Sequence, residues 1–238
     1  MTILVACEES QEVCKAFRKL GHQAFSCDIQ DCSGGHPEWH IKGDVLKIIN
    51  GNCFFVTEDV HPYYVEEWDM ILAFPPCTHL AVSGAKHFEK KRRNGQQYEG
   101  IDFFGKMLNA NCKKVVVENP VNIINGNYIK KYFPDLCEKY NLPMEPTQRI
   151  QPWNFGDNYS KTTCLWLKGV QPLKVEITEE PAMEYKEFIS KKTGKKKRQN
   201  LWYYQAFCNH TPEERARIRS KTFPGIARAM AEQWGGKI

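Results

Sequence analysis

Two residues of this sequence, a cysteine and a glutamate, are placed where they could carry out chemistry together. Cys77 follows Pro75 and Pro76, and Glu118 follows the apolar run 115–117. A thiol after two prolines is held on a stiff backbone, and its pKa is lowered if a helix begins nearby. A nucleophile that adds to an aromatic ring needs an acid that stabilises the charge developing on a ring nitrogen. The pair therefore predicts nucleophilic catalysis, with a core cysteine and a helix-capping acid as the ordinary alternatives.

The elements around this pair follow the pattern of a mostly parallel sheet with crossover helices, so the predicted fold class is α/β. Apolar runs predict strands at 2–6, 22–26, 69–74, 113–117, 162–167 and 173–177. Helical spacing predicts helices at 10–20 and 101–108, with two more beginning near Thr211 and Pro224. Cys77 and Glu118 then lie at the carboxyl ends of their strands, where open α/β sheets bind ligands.

Composition indicates one sizeable domain that carries a small insertion. The chain has 238 residues, of which 42% are hydrophobic. We expect a catalytic domain at 1–177, a polar and aromatic target-recognition module at 178–209, called the insertion below, and helices at 210–238 that return to the catalytic domain. The ten cysteines come with no signal-like start and no membrane-length apolar run. Reduced thiols, a cytoplasmic location and no membrane partner are therefore expected.

Positive charge is concentrated in two short runs of the chain. The net charge is +5, and the runs are Lys90–Arg93 and 195–198. A mildly basic balance permits a nucleic-acid partner without requiring one, because each run could equally be a solvated loop.

The order of the motifs resembles that of the DNA cytosine-5 methyltransferases, especially the compact enzymes of phages and prophages. Pro75-Pro76-Cys77 is similar to the family's nucleophile motif, and Glu118-Asn119 is similar to the motif whose glutamate contacts the target base. Residues 222–229 are similar to the last motif of the family, a helix that completes the cofactor pocket. The resemblance spans nearly the whole chain, and it implies a Rossmann-like methyltransferase fold that binds S-adenosylmethionine.

The resemblance also implies a mechanism and a partner. The thiolate of Cys77 adds to C6 of cytosine while Glu118 stabilises the protonated N3, and C5 then takes the methyl group from the sulfonium. Arg149 is the candidate for the contact with the ring oxygen, although its motif has an unusual spacing. The target base must be flipped out of double-stranded DNA, and the enzyme is expected to act as a monomer, in phage DNA modification.

Further site residues are carried over from the family's motifs. Asp28 corresponds to the acid that binds the ribose, and Asp44 to the aspartate at the adenine edge. The cofactor-binding candidates are Ala6, Cys7, Glu8, Ser10, Asp28, Ile29, Asp44, Val45, Phe74, Pro75 and Ala227. The DNA-binding candidates are Ser83, Gly84 and Lys86 of the family's mobile loop, then Lys90, Lys91, Arg92, Arg93, Lys195, Lys196, Lys197 and Arg198.

Besides the unusual spacing at Arg149, two departures from the family pattern leave alternatives open. The cofactor loop 6–10 has no glycine, so the methionine end of the pocket is not defined by the sequence. The insertion is small for a module that reads several base pairs, which leaves RNA or a nucleotide as possible substrates. A nucleic-acid-binding relative without turnover is the remaining alternative, which retention of both Cys77 and Glu118 disfavours.

One cluster of metal-ligating residue types needs a separate interpretation. Cys27, Cys32, His36 and His40 are spaced roughly as in a zinc site, but the spacing is looser than in a zinc finger. We therefore expect no metal. The sequence instead favours a loop over residues 34–40 that covers the cofactor, with its histidine and tryptophan packed on it.

Overall fold

The computed structural model describes residues 1–190, 193–208 and 211–236. The strands are β1 (Thr2–Ala6), β2 (Gln23–Asp28), β3 (His40–Lys42), β4 (Cys53–Val56), β5 (Pro62–Val65), β6 (Met70–Ala73), β7 (Val115–Pro120), β8 (Gln148–Ile150), β9 (Thr163–Lys168), β10 (Tyr185–Ile189) and β11 (Lys196–Asn200). The helices are α1 (Glu12–Lys19), α2 (Phe88–Arg93), α3 (Gln96–Leu108), α4 (Asn127–Tyr132), α5 (Pro134–Tyr140), α6 (Leu201–Cys208), α7 (Pro212–Ser220) and α8 (Pro224–Met230).

Seven of these strands form a central, mostly parallel sheet in the order β3-β2-β1-β6-β7-β9-β8. Only β9 is reversed, and it runs antiparallel to both β7 and β8. From β1 the chain first builds outward to β2 and β3, and it then returns to add β6 and β7 on the other side. Doubly wound sheets bind ligands outside the carboxyl ends of the strands at such a reversal. The loops after β1 and β6 therefore flank the place where a ligand is expected.

Both faces of the sheet are covered, because its central strands are apolar on both sides. In β1, Ile3 and Val5 point to one face and Leu4 and Ala6 to the other, and all four are fully buried. The first face packs against α1 and α8. The second packs against α3, α4, α5 and the β4–β5 hairpin.

Helix α1 shows how the local sequence fixes one of these contacts. Its buried face consists of Val13, Cys14 and Phe17, which lie on one side at helical spacing. Arg18 and Lys19 occupy the last turn, where positive charge interacts favourably with the helix dipole. Gly21, with φ of 89°, then turns the chain into β2.

Most of the elements predicted from sequence are confirmed, with two exceptions. Glu118 was expected at the end of its strand, but β7 continues to Pro120 because it pairs with β9 along its whole length. The strand expected at 173–177 is wrong. Its Leu173 amide and carbonyl are hydrogen-bonded by the side chain of Gln148 instead of by a neighbouring strand.

The insertion is a two-stranded antiparallel hairpin, β10–β11, followed by α6. It meets the rest of the molecule at an aromatic joint formed by Tyr159, Trp202 and Phe223. The ring centroids are 5.3 Å apart for Tyr159–Trp202, 5.3 Å for Trp202–Phe223 and 5.2 Å for Tyr159–Phe223. These rings connect α6 with the segment before β9 and with the start of α8.

Helix α7 begins at a capping box. The Thr211 hydroxyl accepts from the Glu214 amide, and the Glu214 carboxylate accepts from the Thr211 amide. Within the described ranges, the chain contains no helix that is long and apolar enough to cross a membrane.

Candidate active site

Cys77 lies where the sequence predicted, just beyond the carboxyl end of β6. The Phe74 amide still donates to the Ala6 carbonyl at 2.9 Å, so β6 and β1 stay together until the two prolines begin. The Cys77 carbonyl then accepts from the amides of Leu80 and Ala81, at 3.0 and 2.9 Å, and these bonds close a tight turn. The thiol is half-buried at the mouth of the sheet.

Glu118 reaches the same mouth from the neighbouring strand. Ala73, the last residue of β6, is paired with Val117 of β7, so Glu118 lies one position beyond the end of β6. Burial raises the pKa of the Glu118 carboxyl above its usual range, and the positive charge of Lys161 partly opposes that rise. A glutamate in this setting retains its proton to higher pH than an exposed one.

Asn119 connects the two reactive segments, a role that the sequence did not reveal. Its side-chain amide donates to the Pro75 carbonyl at 2.8 Å, and its oxygen accepts from the Asn122 side chain at 3.1 Å. Both asparagines are buried. The bond from β7 to the Pro75 carbonyl holds the turn that carries Cys77 against the strand that carries Glu118. The available signal was an amide directly after the glutamate.

The charges around Cys77 act in opposite directions. Burial, and then the negative charge of Glu118, raise the pKa of the thiol, while Lys161 and Arg219 lower it. The net direction is upward, so the thiol keeps its proton at neutral pH when no substrate is bound. Lys161 and Arg219 are the residues of this group that sequence reasoning missed, because neither belongs to a motif.

The loop after β1 obtains its shape without glycine. Cys7 and Gln11 adopt left-handed backbone conformations, with φ of 61° and 59°. The amides of Cys7 and Glu8 both donate to the Cys27 carbonyl, which holds the loop over the end of β2. A glycine from a later segment allows the close approach: a Cβ on Gly34 would lie 2.5 Å from the Ser10 carbonyl oxygen.

Several expected cofactor contacts are corrected by the side-chain positions. The Glu8 carboxylate is 4% exposed and accepts from the amides of Val13 and Cys14, so it caps α1 and does not face a ligand. The side chains of Ala6, Val45 and Ala227 are packed in the core, and Ser10 is buried as well. Only the backbone of these residues can take part in binding.

The remaining cofactor candidates lie together at the carboxyl edge of the sheet. Asp28 ends β2 and Asp44 follows β3, and the charges of both carboxylates act on Cys7. Ile29 is 77% exposed beside them. Phe74 and Pro75 form the opposite wall of the same reversal point, after β6. Two carboxylates and an exposed apolar side chain suit a ligand with hydroxyl and amino donors and a flat ring.

Arg149 does not join this group. It lies on the sheet face opposite Glu118, because its partner Cys164 stands beside Asn119 in the register. Its guanidinium donates to Glu145 at 2.7 Å. The expected contact of Arg149 with a base at Cys77 is therefore wrong.

The basic run Lys90–Arg93 forms the end of α2, next to the Cys77 turn. Ser83, Gly84 and Lys86 lie in the short 3-10 turn before it, and their surface is open. Lys91 donates to the Thr78 carbonyl, Arg92 stacks on Tyr132 at 3.9 Å, and Arg93 pairs with Glu89. Lys90 is exposed. Lys91 and Arg92 thus join α2 to neighbouring segments, and Arg93 is paired within its own helix.

The second basic run lies on β11 of the insertion hairpin. Lys196 is 3.8 Å from Glu187, and Arg198 stacks on Tyr185 at 3.7 Å. The side chains of Lys195, Lys196, Lys197 and Arg198 are exposed to solvent. They form a basic edge on the insertion.

The side chains of the four zinc candidates are engaged with other partners, and Cys27 contacts the Gly43 carbonyl. Cys32 contacts the Gln11 side chain, His36 pairs with Glu38, and His40 contacts Ser26. The described part of the chain contains no group of three or more metal-ligating side chains. The ring of Trp39 stacks on His36 at 3.8 Å and contacts Arg18 of α1, and the loop of residues 34–40 over a cofactor stays a prediction.

The geometry above stands without support from relatives. No protein-family model matches the sequence, and no curated protein is similar enough to count as a relative.

Proposed function

We propose that this chain is an S-adenosylmethionine-dependent DNA cytosine-5 methyltransferase in which Cys77 is the nucleophile. The observation that carries the proposal is that Cys77, just beyond the end of β6, and Glu118, within the adjacent parallel strand β7, lie at the same edge of the sheet. A thiol and a carboxyl whose pKa is raised by burial are suited to adding a nucleophile to a pyrimidine ring. Their loops share the reversal point of the sheet with two carboxylates that suit a nucleoside.

The roles of the chain's own residues follow from their positions. The Cys77 sulfur adds to C6 of the target cytosine, and the proton of the Glu118 carboxyl is held at N3, where negative charge would otherwise develop. Burial of Glu118, which raises its pKa, favours the protonated form that this role requires. Asn119 fixes the distance between the two groups through the Pro75 carbonyl. Loss of the C5 proton then releases the sulfur.

The residues at the reversal point fit the proposed cofactor. Asp28 would accept from the ribose hydroxyls and Asp44 from the adenine amino group, while Ile29 would cover the ring. The backbone of the loop at Cys7 would hold the methionine end, with the left-handed conformation that usually requires glycine. When bound, S-adenosylmethionine supplies the methyl group as an electrophile.

The basic edge of the insertion and the exposed part of α2 supply the positive charge that a phosphate backbone requires. Duplex DNA is the proposed substrate, and cytosine reaches Cys77 only when it is flipped out of the stack.

A covalent trap tests the proposal. Duplex DNA containing 5-fluorocytosine should form an adduct that survives denaturing electrophoresis when cofactor is present, because fluorine at C5 blocks release of the sulfur. Cys77→Ala should abolish both this adduct and methyl transfer to ordinary DNA, because the nucleophile is gone.

The matched control is Cys137→Ala, which removes another half-buried thiol, on α5. It should leave the adduct intact. Transfer of labelled methyl groups to duplex DNA, transfer RNA and free nucleotides identifies the substrate class. The proposal fails if no adduct forms with any of these substrates, or if the Cys77 variant still methylates.

A further inference from the structure

Lys161 reaches the candidate site because β9 runs antiparallel to its neighbours, β7 and β8. Thr163, the first residue of β9, is paired with Pro120, the last residue of β7. The amino end of a reversed strand lies at the edge where parallel strands have their carboxyl ends. Lys161, two residues before β9, therefore lies at the same edge of the sheet as Glu118 and Cys77.

The side chain of Lys161 is held from the far side by the C-terminal segment. Its Nζ donates to the Arg219 carbonyl at 3.0 Å and lies 5.7 Å from the centre of the Phe223 ring. An ammonium group has three donors, so this single carbonyl leaves two of them for other acceptors. Within the described ranges, no carboxylate forms an ion pair with Lys161. Among the described residues, its charge is thus not neutralised by an ion pair.

Lys161 is the cation that acts on both reactive groups. It lowers the pKa of Cys77 and also that of Glu118, against the effect of burial on each. The charged groups that act on Cys77 are Glu118 from β7, Lys161 from the segment before β9, and Arg219 from α7. Arg219 does not act on Glu118.

We propose that Lys161 supplies the positive charge that makes the Cys77 thiolate accessible, and that the Arg219 carbonyl and the Phe223 ring position it for this task. The step is a simple ionisation: the thiol gives its proton to solvent, and the ammonium, which stays protonated, offsets the charge left on sulfur. Lys161 is then a positioning residue for the nucleophile. The relevance of this ionisation to turnover rests on the proposed function, but the ionisation itself does not.

The arrangement also connects the insertion with the nucleophile. Phe223 belongs to the aromatic joint with Tyr159 and Trp202, and Trp202 lies on α6 of the insertion. A displacement of the insertion would therefore move the groups that hold Lys161.

The test measures alkylation of Cys77 in the whole protein, without DNA or cofactor. The protein is treated with iodoacetamide over a range of pH, and mass spectrometry follows the peptide that contains Cys77. Lys161→Met should slow alkylation near neutral pH by about 3- to 10-fold and move the pH midpoint upward, because the thiolate loses its cation. Lys161→Arg should restore most of the rate.

The matched control is Lys168→Met, at the other end of β9, where the lysine also donates to a carbonyl, that of Ala110. It should leave Cys77 alkylation unchanged. Should Lys161→Met fail to fold, Lys161→Gln replaces it, and the wild-type protein gives an independent measurement. Alkylation of wild-type Cys77 should slow at high ionic strength, because salt screens the ammonium.

The inference is overturned if Cys77 alkylates with the same pH midpoint in the folded Lys161 variants as in the wild type. It is also overturned if methyl transfer in those variants loses substrate affinity but keeps kcat, since a cation acting on the thiolate affects the chemical step. Failure of the proposed function appears differently: the Lys161-dependent midpoint is found, but no nucleic acid is methylated.

Discussion

At the scale of single residues, Glu8 has an environment that is unusual for a carboxylate. It is buried and accepts from two amides at the start of α1, which would favour its charged form. Burial outweighs these bonds and raises the pKa of Glu8 to about 7. The unfolded chain ionises this group near 4.5. The folded state therefore binds the Glu8 proton more tightly than the unfolded state does.

This difference between the folded-state and unfolded-state pKa of Glu8 predicts that the free energy of unfolding depends on pH. The contribution of Glu8 is fully present below pH 4.5, and it is lost as the pH rises towards 7. Glu8→Gln, which keeps an acceptor for the amides but cannot ionise, should therefore be more stable than the wild type at pH 8, by up to about 3 kcal/mol. The difference should shrink towards pH 5. Urea unfolding at several pH values measures it.

Glu66→Gln is the control for this prediction, because Glu66 is an exposed carboxyl. The free energy of unfolding of this variant should differ from that of the wild type by an amount that varies little with pH. A Glu8→Gln protein whose stability tracks that of the wild type at every pH would contradict the assigned burial of Glu8.

The site residues show what could be predicted from the sequence. Cys77 and Glu118 were placed at the correct edge of the sheet because their motifs and the apolar runs before them can be recognised locally, although β7 continues two residues beyond Glu118. Lys161 and Asn119 were not assigned roles, because their positions depend on the pairing of β7 with β9 and with the Cys77 turn. Arg149 was misplaced because a shift of one residue along a strand moves a side chain to the other face.

At the scale of elements, the insertion hairpin has two different faces. Phe188 and Lys186 point towards Tyr204 of α6. Lys196 and Arg198 belong to the opposite face, because neighbouring residues of a strand alternate. Lys196 and Arg198 of the basic edge are therefore available to a partner, while Lys197 shares the face that packs on α6.

Neutralising this edge should weaken DNA binding. The triple variant Lys195→Gln, Lys196→Gln and Arg198→Gln should bind duplex DNA more weakly at moderate salt. If each cation contacts one phosphate, the slope of log affinity against log salt should fall by about 2 to 3. Fluorescence anisotropy with labelled DNA over a salt series measures both effects.

The control is a variant that loses the same number of positive charges outside the insertion. Lys47, Lys113 and Lys174 are exposed and lie outside the insertion, so changing all three to Gln should alter the slope much less. An equal loss in both proteins would mean that net charge, and not the hairpin, governs binding.

Prediction from sequence worked best for the buried elements. The runs in β1, β2 and β6 are apolar over several residues, so each was recognised as a strand. The short strands β3 and β8 have three residues each, and such lengths carry no usable period. The strand expected at Leu173 failed because a side chain took the place of a neighbouring strand.

At the scale of the whole molecule, α8 is fitted tightly into the body of the protein. The Gly225 amide donates to the Asp157 carboxylate at 2.9 Å, and a Cβ on Gly225 would lie 2.3 Å from the Phe155 carbonyl oxygen. No side chain fits there unless the backbone moves. The start of α8 is thus fixed against the segment that leads to Lys161.

Gly225→Ala should therefore destabilise the fold by about 1–3 kcal/mol, because the added methyl group forces the helix away from Phe155. Gly126→Ala is the control, since a Cβ there meets only the Tyr128 amide nitrogen at 3.9 Å. Chemical denaturation compares the two. Equal stability of both variants would show that α8 can shift without cost.

The packing of α8 on α1 has a consequence for how the protein is made. The buried face of α1 includes Val13 and Phe17, which pack in one cluster with Ile226 and Met230 of α8. Helix α1 leaves the ribosome early and α8 late. The apolar side chains of α1 therefore lack their packing partners on α8 during most of synthesis. During that interval the loop after β1 lacks the support of a settled helix. The nascent chain is therefore expected to depend on chaperones until α8 emerges, and to acquire a formed ligand site only after that.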